Sequence, residues 1–264
     1  MTYAMSLRRK VAIATWSPAR EGNIYGKMQI DTTLALKYLK QISDKYKSNI
    51  TITHFIGKVI GTILADFPEL NGRICLGKFK PEDTVDISFL VQIRDGKDLG
   101  KVKVSNIDKR SLYDISRALK VEAKELRSGT HKEHNKSLKI IKHLPTWIIR
   151  PLLNTMGYFT CVLNSSVPSL GLERKPFGVC LITSLGMLGL EEAFVPPTPF
   201  ARVPFYIMIP AIKQEATVVD GKIEVRPILK LTATLDHRYI DGFAGAQVVN
   251  RIHHYFSHPE ELDS

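Results

Sequence analysis

The chain has 264 residues, 44% hydrophobic and 24% charged, with 11 Phe and 9 Tyr, enough for a sizeable core in one large domain or two small ones. This composition excludes intrinsic disorder as the overall description, and the lack of any run of 18 apolar residues argues against a membrane-spanning helix. A net charge of +11, from 37 basic and 26 acidic residues, favours an anionic partner without choosing among nucleic acid, a membrane surface and a phosphorylated cofactor.

In chain order, Arg8, Arg9 and Lys10 occupy the place where a secretory signal needs its apolar stretch. Cys75, Cys161 and Cys180 are few, odd in number and in no metal-like spacing, so the expected compartment is the reducing cytoplasm. A first strand is expected over Tyr25 to Asp31. Asp31 or Thr32 can cap a helix with an apolar stripe at Leu34, Leu36, Tyr38, Leu39, Ile42 and Tyr46. Thr53 can cap the next, whose broad apolar face from Phe55 to Phe67 implies packing against a sheet and which Pro68 ends. Strands follow at Val85 to Ile93 and Lys101 to Val104, then a helix from Ser111, with Asp114 as a capping-box partner, to about Gly129. Further strands are expected at Val179 to Thr183 and Phe205 to Ile212. Asp220-Gly221 closes a hairpin, and a last helix begins after Gly242 with Phe243, Ala246, Val249, Ile252 and Phe256. Strands and helices mixed along the whole chain give an α/β sandwich.

Residues 130–177 break that rhythm. Lysines 132, 136, 139 and 142 come first, then Leu144, Ile148, Leu152, Met156 and Phe159 at helical spacing around Pro145 and Pro151. The plainer reading is two short helices packed on the body. The sharper one is a basic amphipathic surface touching a membrane through 130–160, or a lid over an apolar substrate.

The segment Asp236-His237-Arg238-Tyr239-Ile240-Asp241-Gly242 ends a strand and opens a helix. A histidine at such a junction can project into a cleft, where its titration range suits general-base work. Asp241 can fold back to fix the loop, and Gly242 permits a close turn. The pattern alone is weak and gains weight only from its surroundings. His131 and His134 lack further ligands at suitable spacing, and His253 and His254 read as surface residues, so no metal is expected.

Those surroundings extend along most of the chain. Leu7 to Ala14, Thr53 to Val59, Phe67 to Asn71, Leu181 to Gly189 and Asp236 to Gly242 together resemble the catalytic domain of the dihydrolipoamide acyltransferases of 2-oxo acid dehydrogenase complexes. That family shares its fold with chloramphenicol acetyltransferase. The resemblance implies a two-layer sandwich of a mixed sheet with helices on one face. It makes residues 1–264 a single catalytic domain, interrupted by the atypical stretch 130–177. The implied activity is CoA-dependent transfer of an acyl group between a thioester and a thiol, hydroxyl or amine acceptor. His237 would be the general base, and Asp241 would orient the loop, paired with Arg8 or Arg9. Thr183, or alternatively Ser184, would donate a hydrogen bond to the oxyanion, worth on the order of 3 kcal/mol. The family works as a trimer with shared sites, so His237 would act with Thr183 of a neighbour. The resemblance further implies CoA or acyl-CoA as substrate, with no metal and no lipoyl group on this chain.

Four departures qualify the picture. No lipoyl or subunit-binding domain precedes Arg8, and Asp98 to Val104 carries added lysines where the family has a proline-containing channel stretch. Residues 130–177 have no counterpart, and the acidic end Glu260 to Ser264 argues against larger cages. These point to a stand-alone homotrimer using an acyl-CoA and an unspecified acceptor, with no nucleic acid bound. The alternative is a non-catalytic scaffolding trimer of the same fold.

Overall fold

In the computed structural model, which describes residues 22–93, 98–128, 144–166 and 173–263, β1 (Asn23–Asp31) leads into α1 (Thr33–Tyr46) and α2 (Ile52–Asp66). A hairpin of β2 (Gly72–Cys75) and β3 (Lys78–Pro81) precedes β4 (Ile87–Ile93) and β5 (Asp98–Val104). Next come α3 (Leu112–Arg127) and α4 (Thr146–Gly157), then β6 (Cys180–Ser184), β7 (Phe205–Ile209), β8 (Lys213–Val219) and β9 (Lys222–Asp236). Last is α5 (Gly242–Ser257), followed by a 3-10 turn over Pro259–Asp263.

The main sheet runs β1-β9-β7-β6-β4-β5, with β8 paired to β9. Strands β4, β6 and β7 are parallel, while β5, β9 and β1 run antiparallel to their neighbours. This is the expected mixed sheet. The register aligns Ile87, Cys180, Phe205 and Leu235 side by side. One end of the sheet therefore gathers the starts of three parallel strands and the end of β9.

Alternation along each strand separates the two faces. Ile87, Phe89, Cys180, Ile182, Phe205, Ile207, Leu229 and Leu231 join the core shared with α1, α2, α3 and α5. Leu181 and Tyr206 point the other way, under Ala201 and Val203. Two glycines let helix α2 pack closely, one against the sheet and one against the 3-10 turn at Ile107–Lys109. A Cβ on Gly57 would stand 2.5 Å from the Phe89 ring, and one on Gly61 would stand 2.5 Å from Ile107.

Several boundaries differ from expectation for local reasons. Thr51, not Thr53, caps α2: its hydroxyl faces the N3 backbone while His54 Nδ1 accepts the Thr51 N–H at 2.8 Å. Leu34 is 51% exposed, because the inward stripe of α1 is Ala35, Leu39 and Ile42. In α5, Phe243, Ala246 and Val249 lie outward, while Ala244, Val248, Ile252 and Tyr255 meet the core. Ser111 caps α3 through the Asp114 N–H as expected.

Of the 130–177 stretch, residues 130–143, with their lysines, and 167–172 lie outside the described residues. Pro145 caps α4, and Pro151 is accommodated inside that one helix rather than dividing it. The buried face is Ile149, Leu153 and Gly157, one position off the expected stripe of Ile148, Leu152 and Met156. Gly157 decides the rotation, since a Cβ there would stand 2.0 Å from the Phe200 carbonyl oxygen. Trp147 is left 76% exposed. No helix among the described residues is long and apolar enough to cross a membrane.

Candidate active site

The turn between β9 and α5 is held by side-chain and backbone contacts together. Asp236 ends β9 and accepts the Arg238 N–H at 3.0 Å, while the Arg238 guanidinium pairs with the same carboxylate at 2.6 Å. The Tyr239 N–H bonds the Asp236 carbonyl. The Tyr239 ring packs edge-on against Phe79 and Phe205, and its hydroxyl accepts the Ile74 N–H at 3.0 Å. The β2–β3 hairpin thus clamps the turn from the side. Burial, the largest cause, pushes the Tyr239 phenol above its ordinary range, so the hydroxyl stays protonated. Ile240 plugs into the core, and Asp241 caps α5 by accepting the Ala244 N–H at 2.9 Å.

These anchors leave His237 exposed at the sheet end with one ring nitrogen engaged, Nδ1 lying 2.9 Å from the Ile240 carbonyl oxygen. A carbonyl can only accept, so Nδ1 carries the proton and Nε2 keeps its lone pair. Of the two ring nitrogens, Nε2 is therefore the one that could accept a proton. Gly242 plays a smaller part than expected. It opens α5 without a positive φ, and a Cβ there would meet nothing within 4 Å. Arg8 and Arg9 lie outside the described residues.

Thr183 and Ser184 are elsewhere. Thr183 is 4% exposed and shares the parity of Leu181, facing away from α1, α2, α3 and α5; Ser184 ends β6 and is half-buried. Neither hydroxyl makes a hydrogen bond among the described residues. Thr183 lies beside Met208, which pairs with Thr232, five residues before His237. At ~3.3 Å per residue that is about 17 Å along the strand direction, so one chain does not bring His237 and Thr183 together. His237 and Asp241 thus lie at one end of the sheet, and Thr183 and Ser184 lie toward the opposite end.

Two cavities flank the His237 end. An apolar one of about 240 Å³ lies between α2, α5 and strands β1, β7 and β9, bordered by Asp241 and Gly242. Another of about 250 Å³, basic on balance, opens beyond β4 and β5, where Lys103, Arg174 and Lys175 outnumber the single carboxylate of Asp86. Residues overlooked in the sequence stabilise that region: Glu82 pairs with both Arg73 and Lys175, and Lys103 pairs with Glu173 at 2.9 Å. Lys101 donates to the Pro176 carbonyl and covers the Phe177 ring. The added lysines of β5 thus hold the returning end of the 130–177 stretch.

The fold as a whole is similar to that of known proteins. A crystal structure of a probable dihydrolipoamide acetyltransferase from Listeria monocytogenes superposes with a TM-score of 0.69, at 16% identity over 97% of this chain and 94% of that one. A chloramphenicol acetyltransferase structure gives 0.53, at 12% identity over 97% of this chain and 100% of that one. In sequence, the chain is 40% identical over 246 residues to the dihydrolipoyllysine-residue succinyltransferase component of the 2-oxoglutarate dehydrogenase complex of Rickettsia typhi, covering 90% of this chain. It spans about half the length of the curated relatives it matches, 44% and 50% of the first two. The match to the family described as 2-oxoacid dehydrogenases acyltransferase (catalytic domain) runs over residues 7–137 and 177–263, carrying the turn, the hydroxyl strand and nearly all of the sheet that separates them. By that match the chain belongs to the 2-oxoacid dehydrogenase acyltransferase catalytic-domain family.

Proposed function

We propose that this protein is an acyltransferase that moves an acyl group between acyl-CoA and a thiol acceptor, with His237 as general base, in a cytoplasmic homotrimer. The observation that carries the reading is the 2.9 Å contact of His237 Nδ1 with the Ile240 carbonyl oxygen, which leaves Nε2 of this exposed residue as the nitrogen available to accept a proton. In the transfer, Nε2 takes the proton from the acceptor S–H as sulfur attacks the thioester carbonyl carbon. The carbonyl oxygen becomes an oxyanion, which a hydroxyl from Thr183 or Ser184 of a neighbouring copy stabilises. Collapse breaks the carbon–sulfur bond to CoA, and the departing thiolate recovers the proton from the His237 imidazolium. Asp241 keeps the turn in place through its cap. Family membership and the paired half-sites support an enzyme over a scaffold, which needs neither a basic Nε2 nor an uncommitted hydroxyl.

The basic cavity beyond β4 supports CoA as the thioester carrier. It opens at the same sheet end as His237, three strands or about 14 Å across, and Arg174 there has no ion-pair partner among the described residues. Transfer from acyl-CoA to dihydrolipoamide, followed by thioester formation, tests the proposal. The wild-type protein should turn over, and His237→Ala should lose at least about 100-fold with its thermal midpoint unchanged. Near-wild-type activity in that variant rejects the mechanism.

A further inference from the structure

The far end of α5 carries a second cluster of chemistry-bearing side chains that the transfer reaction does not use. His254 lies in the last turn of the helix, His258 is its C-cap, and Glu261 comes from the 3-10 turn that folds back. All three are solvent-accessible, and one donor atom from each lies within 4.8 Å of the other two. His254 Nε2 already stands 2.8 Å from Glu261 Oε2, and the two imidazoles stack with centroids 4.7 Å apart. From these residues we infer a divalent transition-metal site, with Zn²⁺ the fitting ion, bound by His254, His258 and Glu261.

The donor set is two imidazoles and a carboxylate, which suits zinc and leaves one of four tetrahedral positions open. Bonds of ~2.0–2.2 Å at tetrahedral angles put donors about 3.4 Å apart, within reach of small rotations of three accessible side chains. The surroundings help. His258 Nδ1 lies 3.2 Å from the His254 carbonyl oxygen, which fixes the proton on Nδ1 and leaves Nε2 as a ligand. The cation would sit at the negative end of the α5 dipole. Arg251, on the same helix, pairs with Asp66 at 3.0 Å. At ~1.5 Å per residue, α5 separates this site from the His237 turn by about 22 Å, so the ion would take no part in acyl transfer. Its effect is structural. Beside Glu261, Leu262 is buried, and Asp263 bonds the Tyr38 hydroxyl and the Leu112 N–H, so a metal clip would secure the turn that ties α1 and α3 to α5.

Calorimetric titration of the intact protein with ZnCl₂ tests the site. The expected result is one ion per chain with a dissociation constant of about 10 µM or tighter, and no response to Mg²⁺, which prefers all-oxygen sites. His258→Asn and Glu261→Gln should each weaken binding by at least about 10-fold while acyl transfer stays at the wild-type rate. Substituting Co²⁺ for Zn²⁺ should give the visible absorption of a tetrahedral site in the wild type and lose it in His254→Gln. Binding that survives all three substitutions, or that needs millimolar zinc, overturns the assignment.

Discussion

The His237 turn and the Thr183 strand end are made by opposite means. At the turn, nearly every polar group is spoken for: Asp236 by Arg238, Asp241 by the α5 backbone, Tyr239 by Ile74, and one nitrogen of His237 by Ile240. Such local closure fixes a ring in open solvent without help from burial. At the strand end the fixing comes from burial and sheet register, and the hydroxyls are left without partners among the described residues. On the proposed reading, the turn supplies a base that a short stretch of chain can position alone, and the strand supplies a donor that only an approaching second copy can use.

The largest effect should come from breaking that division. Thr183→Val keeps the buried shape and removes the hydroxyl, and it should cut turnover by about 100-fold, the worth of one oxyanion donor. If Ser184 is the donor instead, Ser184→Ala carries the loss and Thr183→Val does not. Co-expressing His237→Ala with the inactive hydroxyl variant should then restore activity to about a quarter of wild type, since mixed oligomers contain sites with both halves intact. No recovery in purified mixed oligomers would place both halves in one chain.

Next in size is a pH effect on the scaffold rather than the site. Burial holds the His54 imidazole down to about 4, in the neutral form that accepts the Thr51 N–H. A histidine whose folded value lies below its unfolded value of about 6.5 contributes stability above that pH and loses it as pH falls toward 4. Urea unfolding at pH 7.5 and 4.5 should show up to about 3 kcal/mol less stability at the lower value from this group. His54→Gln, which can still close the capping box, should flatten the slope.

Smaller effects separate the turn's two duties. Asp241→Ala removes a helix cap and should cost about 1 kcal/mol in thermal or urea unfolding, along with slower turnover. Asp241→Asn should keep the stability. Arg174→Ala should raise the KM for CoA about fivefold, roughly 1 kcal/mol, and leave kcat unchanged. A fall in kcat with constant KM would move the CoA phosphates away from the basic cavity.

The contrast also explains what could be read in advance. Asp236 to Gly242 was legible because its interactions span only a few residues, as were the Asp220-Gly221 hairpin and the Ser111 cap. The distance between His237 and Thr183 depends on strand order, which residue spacing does not encode. The β2–β3 hairpin escaped notice because its strands are four residues each and β3 is exposed throughout. Its turn at Leu76-Gly77, with φ of 49° and 74°, was the available signal. The α4 face was misjudged by one position because hydrophobicity favours Ile148 and Met156, whereas contact with Phe200 requires the missing side chain of Gly157.

Strand polarity has one more consequence, for how activity varies with amount. A site whose two halves lie at opposite ends of one sheet cannot be completed by folding alone. On the shared-site reading, a newly made chain is fully folded yet chemically silent, and it becomes active only on meeting its own kind. Specific activity should therefore fall on dilution more steeply than any loss of structure. The cell would then hold a threshold on protein abundance below which acyl-CoA is left untouched.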